Sequence, residues 1–501
     1  MARRGRKSAG IDQVLDVLPD LTATGGRWAP LDENKITMIG ESAIEILTTI
    51  GVSEAPNNLV KVIQKAGGKV VRDRLIYPQD LIERAIRDGP DTILLAGQSP
   101  KHDLKVGGTA AYTGTGGAAP NVFDEEKGEY RPSTLADLYA AARLADSLPH
   151  IHFFSRSLVA RDVEDPLDFD LATAAASLLG TSKHVMVQAA KPTHVHEIAS
   201  LCYELAGGED QFRARPFLSL NINHAVPPLR MHVESIQVME AAVRAGIPVH
   251  CNVFGQLGAS SPVTLAGSVA QTLAETLAGI AFVHALDPQA SGIAGPRPMI
   301  TDLRTGGMAG GAGEQAMATG MAAQVLGHWN MPCSVIAGAT DSKLADFQAG
   351  YEKTLTVQSA LQAGANLITQ AAGAQAGLMG VDYGAMVADN DMLGAILRGN
   401  VLPEVSDETL GLKAISEVVA GEGHFLGRPE TYARMRSDFL YPDIADRSPI
   451  GEWENTDRFD MGQRASIVAR GVLKNYFPSH GPEDIRAHYL QRFGLLQGPA
   501  N

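Results

Sequence analysis

At 501 residues the chain is long enough for one large core or two smaller ones, and 45% hydrophobic and 20% charged content is ordinary for a globular protein. A net charge of −14 argues against nucleic acid as a partner, because phosphate binding wants a basic surface. The basic start Arg3-Arg4-Gly5-Arg6-Lys7 is followed by no apolar h-region, and no apolar run reaches the roughly 18 residues of a spanning helix. Cys202, Cys251 and Cys333 are too few and too scattered for a disulfide framework. The expectation is a cytoplasmic protein with no membrane and no nucleic acid among its partners.

Residues 1–30 read as irregular, with Gly25-Gly26-Arg27-Trp28 near their end. A helix is predicted over 32–50, with Asp32 as its cap and Ile36, Ile39, Ala43, Ile44 and Leu47 on one face. Further helices are predicted over 59–65 and 78–87, with short strands at 69–71 and 92–95. The rhythm then changes. Apolar strand candidates at 109–113, 151–155, 184–188, 217–221, 247–253, 289–292, 333–337 and 366–370 alternate with helical patterns. Those helices fall at 135–145, 169–179, 194–205, 231–245, 263–285, 314–326 and 345–363, and 386–398 follows the last strand.

That count is the signature of an α/β chain folded as a (β/α)8 TIM-type barrel. An open doubly wound sheet is the alternative, but no G-x-G-x-x-G stands at a strand-to-helix turn, and Gly114-Thr-Gly-Gly117 lacks the spacing. The chain thus divides into a tail and mixed α/β cap (1–105), the barrel (106–400) and a C-terminal helical extension (401–501). The extension, with Trp453, Phe459 and Tyr476, is expected to pack on the barrel or on a subunit partner in a homo-oligomer.

A barrel works at the carboxyl ends of its strands. Those positions carry mostly neutral hydrogen-bonding groups, which suit orienting a polar ligand more than abstracting protons. The run Asn252 to Gly267 reads as a strand-to-helix loop whose glycines admit a ligand and whose Pro262 suits a first helical turn. The candidate catalytic residues are Asn221, Asn223, Asn252 and Asp341; the candidate substrate-binding residues are Trp28, Arg156, Gln188, Gln256, Gln370 and Gln375. Some of these serve equally well as helix caps, Asp341 above all. Trp28 stands in a glycine-rich polar stretch, where a lid contact would explain it. No metal set is expected: His250 and Cys251 are adjacent on a strand and point to opposite faces, and His194 and His196 are poorly spaced on a helix.

Three segments carry a resemblance. They are Asn252-Val-Phe-Gly-Gln-Leu-Gly-Ala-Ser-Ser-Pro262 with its continuation to Gly267, Gly310-Gly-Ala-Gly-Glu-Gln315 at the head of a helix, and Ala339-Thr-Asp-Ser-Lys-Leu-Ala-Asp-Phe-Gln-Ala-Gly-Tyr-Glu-Lys353. Together they resemble the trimethylamine methyltransferase family of corrinoid-dependent enzymes, over about residues 31–477. The resemblance implies methyl transfer from a small methylated amine to the Co(I) centre of cobalamin supplied by a separate corrinoid protein, with no cofactor tightly bound by this chain. The founding trimethylamine enzymes contain pyrrolysine; this sequence has standard residues only, as do the family's glycine betaine methyltransferases. A quaternary amine of the betaine type is therefore the preferred substrate, with Arg156, Lys191 or Arg297 pairing its carboxylate. The rival readings are a zinc-dependent barrel hydrolase or lyase using His184, His224 or His250, and a non-catalytic betaine sensor.

Overall fold

Eight parallel strands close a cylinder in the computed structural model, which describes residues 28–495 except 402, 422, 436 and 437. They are β1 (Tyr112–Thr113), β2 (Phe153–Ser155), β3 (His184–Val187), β4 (Leu218–Asn223), β5 (Val249–Gln256), β6 (Gly292–Met299), β7 (Ser334–Ile336) and β8 (Leu367–Thr369). Strands β2 to β6 pair in order, and β7, β8 and β1 form a second run. Single bridges from Gly114 to Phe153 and from Ala294 to Cys333 join the two runs at both seams. The barrel predicted from the strand and helix count is the observed fold.

Helices α1 (Leu135–Ser147), α2 (Pro166–Gly180), α3 (Pro192–Ala206), α4 (Val233–Arg244), α5 (Leu265–Leu286), α6 (Gly313–His328), α7 (Phe347–Gln362) and α8 (Tyr383–Gly399) follow the strands in turn. Their ends are written locally. Thr134 and Asp137 form a capping box on α1, and Asp165 accepts from Leu167 and Asp168 N–H ahead of Pro166 in α2. Helix α3 stops at Gly207, whose φ of 81° is the left-handed conformation a C-cap glycine supplies. Helix α5 corrects one sequence expectation: by length and composition it meets the test for a membrane-crossing helix. Every residue from Ser268 to Val283 is nevertheless buried. It lies between β5 and β6 on its inner side and the N-terminal helix Glu33–Glu45 on its outer side.

The helix predicted over 32–50 is α-helical only to Glu45, then loosens into a π turn and ends at Gly51 with φ 67°. Asp32 caps it as expected, accepting Lys35 N–H at 2.9 Å. A hairpin, Thr92–Leu95 against Leu104–Gly107, pushes Ile93, Leu95, Leu104 and Val106 onto Phe153, Met186, Ile293 and Leu367. That apolar plug closes the amino-terminal end of the cylinder. The end that this plug leaves uncovered is the carboxyl end. Beyond the barrel, the helix Met461–Asn475 packs on α8 and α1. Arg143 of α1 is locked there, donating to the carbonyls of Leu473 and Tyr476 under the Phe477 ring.

Candidate functional site

Two polar layers cross the barrel interior, one above the other. Strand side chains alternate in facing, so Ser219 and Asn221 both point inward from β4. The lower layer is neutral. Ser219 Oγ lies 2.8 Å from His184 Nε2 and 2.9 Å from His250 Nε2, and His184 Nδ1 lies 2.8 Å from the Ala96 carbonyl. Burial holds the His184 ring down to about 4, and burial, His184 and Arg297 together hold His250 well below the ordinary value. Neither ring is charged at neutral pH.

The upper layer is a chain of donors. Arg297 Nη2 on β6 donates to Asn252 Oδ1 on β5 at 2.8 Å. Asn252 Nδ2 donates to Asn221 Oδ1 at 3.2 Å, and Asn221 Nδ2 donates to Ser155 Oγ on β2 at 3.1 Å. Ser334 of β7 stands 3.5 Å from the same guanidinium nitrogen. The layer needs Gly295: a Cβ there would sit 2.1 Å from Asn252 Oδ1. Arg297 is 3% exposed, yet its Nε and Nη1 have no partner. Burial alone pushes it down to about 9. Phe254, its neighbour on β5, presents its ring 5.5 Å away.

The rim carries carboxylates. Asp341 accepts the Gly310 and Gly311 N–H groups at 3.1 and 3.4 Å, so it ties the loop after β7 to the glycine run before α6. Burial raises its pKa, with the Glu352 charge adding to the effect. Glu352 of α7 accepts from Thr340 Oγ1, Asp341 N–H and Gln348 Nε2. The glycines are needed again, because a Cβ on Gly311 would fall 2.4 Å from the Glu352 carboxyl.

Of the candidate catalytic residues, Asn221 and Asn252 meet inside the barrel. Asn223 is exposed at the end of β4, and Asp341 belongs to the rim. Asn252 is not in a loop: β5 and β6 pair without a break from Val249–Gly292 to Gln256–Met299. The strand expected at 289–292 in fact begins at Gly292. Pro296 and Pro298 do not interrupt β6, because above Ala294 it has β5 as its one bonded neighbour among the described residues, so the missing N–H groups cost no ladder bond on the β7 side.

Among the candidate binding residues, Gln370 lies at the mouth after β8, left-handed at φ 61°, its Oε1 accepting from Thr369 Oγ1 at 3.2 Å. Gln188 is half-buried and Gln256 exposed. Gln375 is fully buried with neither amide atom paired, and it lines an apolar cavity of about 1130 Å³ between α7 and α8. Arg156 turns to the helix layer, 5.8 Å over Phe169 of α2 and under the influence of Asp170. The lid role expected of Trp28 gives way to packing: it lies across α6, where a Cβ on Gly320 would meet its ring at 2.3 Å. The chain crosses the helix there, and the indole covers a glycine notch that one-dimensional patterning does not reveal.

The sequence set left out Ser155 and Ser334, and ranked Arg297 as one of three possible cations. Lys191 is exposed at the start of α3, and Arg156 has Asp170 beside it. Of the three, Arg297 alone is buried, at 3% exposure, and no carboxylate pairs with it among the described residues. An arginine between two prolines in an otherwise apolar run was the available signal. Among the described residues no three His, Cys, Asp or Glu side chains group as metal ligands. His224 points elsewhere, its Nε2 2.8 Å from the Glu275 carbonyl of α5.

A parallel barrel sealed by an apolar plug at one end and lined with polar groups at the other has the architecture of the barrel enzymes, whose sites sit at the carboxyl mouth. The family model "Trimethylamine methyltransferase (MTTB)" matches residues 1–493. A trimethylamine methyltransferase of Desulfitobacterium hafniense is 31% identical over 461 residues, 92% of each chain. A glycine betaine methyltransferase from another strain of that species is 26% identical over 469 residues, 93% of this chain and 97% of the relative. Among solved structures, the monomethylamine methyltransferase of Methanosarcina barkeri superposes with a TM-score of 0.55 at 13% identity, covering 95% of this chain and 90% of that one. The chain belongs to the trimethylamine methyltransferase family, which makes it an amine methyltransferase.

Proposed function

We propose that this protein takes a methyl group from a quaternary ammonium compound and delivers it to the Co(I) centre of a corrinoid carried by a separate protein. One observation carries the reading: among the described residues, the layer beneath the mouth joins amide and hydroxyl side chains to one cation, Arg297, with no carboxylate in it. Asn221, Asn252, Ser155 and Ser334 can orient a ligand, and the two interior histidines beneath them are neutral and engaged with Ser219.

The chemistry asks for little more. In a displacement at carbon the C–N bond breaks as the C–Co bond forms, and the electron pair of the C–N bond stays on nitrogen. A quaternary nitrogen then leaves as a neutral amine, so nothing needs to be protonated. The corrinoid supplies the nucleophile. This chain's residues hold the N–CH3 group in line with the open end, exclude water from the barrel, and fix the rest of the substrate. Alignment of that kind is worth several orders of magnitude in rate.

The rim also fits a docked protein. Val263, Leu303, Leu344 and Met379 are exposed on the loops that follow β5, β6, β7 and β8, and Phe347 at the start of α7 is 88% exposed. Large exposed side chains gathered around one opening are the mark of an interaction surface.

The test is to incubate the purified chain with Co(I)-cobalamin and a panel of tertiary and quaternary amines and to follow the cobalt absorbance. The expected result is loss of the Co(I) band with one or more quaternary amines. No methyl transfer from any amine, to free cobalamin or to corrinoid proteins of related systems, would leave this reading without support.

A further inference from the structure

The unpaired guanidinium of Arg297 calls for a counter-charge that the fold does not supply. Among the described residues no carboxylate pairs with it, and the histidine layer below it is neutral. Three hydrogens on Nε and Nη1 are left without an acceptor, in a place 3% exposed. A buried charge without a partner is costly, and such a group persists where a ligand completes it.

The rest of the layer has the same polarity. An arginine can only donate, so the amide of Asn252 must turn its oxygen toward Arg297 and its nitrogen toward Asn221. Asn221 in turn presents its nitrogen to Ser155. Each oxygen in the chain is engaged. The groups in surplus are the second N–H of Asn252, the second N–H of Asn221 and the Ser155 hydroxyl hydrogen. Higher up stand the carboxylates of Asp341, on the loop after β7, and of Glu352 on α7. The charge therefore changes sign along the barrel axis, cationic and donor-rich below, anionic at the rim.

We infer that this floor is a carboxylate seat: Arg297, with the N–H groups of Asn252 and Asn221 beside it, takes the carboxylate of a short zwitterion, which stands with its quaternary ammonium and methyl groups toward the open mouth. The inference rests on the reading of that mouth as the amine site. It makes Arg297 the residue that separates zwitterionic ammonium compounds from purely cationic ones such as choline or trimethylamine. It also fixes which end of the substrate meets an incoming acceptor.

Titration calorimetry on the full chain tests it, with glycine betaine, choline, and 3,3-dimethylbutanoate, in which carbon replaces the betaine nitrogen. The wild type should bind both carboxylates, and choline on the order of 100-fold more weakly. Arg297→Gln should lose both carboxylates by a similar factor while remaining folded by thermal unfolding, and Arg297→Lys should recover part of the loss. Choline binding as tightly as glycine betaine overturns the inference, as does Arg297→Gln binding carboxylates within about threefold of wild type. Absence of carboxylate binding at millimolar concentration overturns it as well. A parallel assay of methyl transfer to Co(I)-cobalamin separates the two levels. Carboxylates seated through Arg297 with no methyl ever transferred would uphold the seat and remove the methyltransferase reading. Turnover unaffected by Arg297→Gln would do the reverse.

Discussion

The helical shell and the barrel mouth treat buried cations in opposite ways. In the shell, Lys183 gives its ammonium to the carbonyls of Ala145, Leu148 and Ile151 at 2.6 to 2.7 Å. Lys353 meets Asp389 at 2.6 Å between α7 and α8. Arg143 donates to two carbonyls and lies 3.6 Å over the Phe477 ring. Each is locked by groups of the chain itself. Arg297, equally buried, keeps one good bond and leaves two nitrogens idle. The shell cations are fold determinants, complete without a ligand. The mouth cation is a group held ready, and the fold bears its desolvation.

Substitutions that break this contrast should differ in sign. The largest effect is expected in the shell. Lys353→Met strands Asp389, which then keeps the Gly373 N–H at 2.8 Å, and should cost about 3–5 kcal/mol in urea unfolding. The same replacement at the mouth, Arg297→Met, should leave stability unchanged or raise it by about 1 kcal/mol while abolishing substrate binding. A loss at Arg297 as large as that at Lys353 would show that the mouth cation is structural after all.

The shell also holds a buried acid, and here pH sharpens the comparison. Glu275 of α5 is fully buried, accepts Leu229 N–H at 2.5 Å, and has its second oxygen unpaired. Burial raises its pKa from 4.5 to about 7. It is an acid whose folded value lies above its unfolded one, so the native state holds the proton more tightly. Its contribution is fully present below about pH 4.5 and is lost as pH rises through about 7, a swing of up to about 3 kcal/mol. Glu275→Gln should flatten the stability profile between pH 5 and about 8, measured by denaturant midpoints. A profile identical to wild type would show that the carboxyl is ionised in the native state.

How much of this was legible in the sequence follows from what one dimension records. Strand candidates and helical patterns gave the barrel because a buried parallel strand is a short apolar run and each barrel helix has its own caps, as at Thr134 and Asp165. Alternation also fixes which residues of one strand share a face, so Asn221 and Asn252 were accessible as inward candidates. Which residues of different strands meet is set by the stagger of the cylinder, and no local pattern carries that. Hence the joining of Ser155, Asn221, Asn252, Arg297 and Ser334 across five strands was out of reach. The strand expected at 289–292 stops where β6 begins, so the strand position of Arg297 was missed. Trp28 looked functional because its neighbours in sequence are glycines, whereas its neighbours in space belong to α6.

The smallest effects are expected where the mouth touches its surroundings instead of its ligand. Phe347→Ala on the rim should raise the half-saturating concentration of a corrinoid protein by a few fold, about 1 kcal/mol, with thermal stability unmoved. Gly295→Ala sits between the two regimes. Its methyl would press on Asn252 Oδ1, turn the amide from Arg297, and so reverse the order imposed on Asn221 and Ser155. The volume added is one methyl group, and overpacking of that size costs about 1–3 kcal/mol of stability. A ligand would feel the change separately: once Asn252 turns its oxygen into the seat, a carboxylate meets an acceptor in place of a donor. Affinity for a carboxylate ligand should therefore fall further than stability predicts, by about tenfold or more, and betaine affinity in Gly295→Ala measured beside its urea midpoint reads the two apart. Equal losses in both would mean that the donor chain is packing and that Arg297 alone makes the seat.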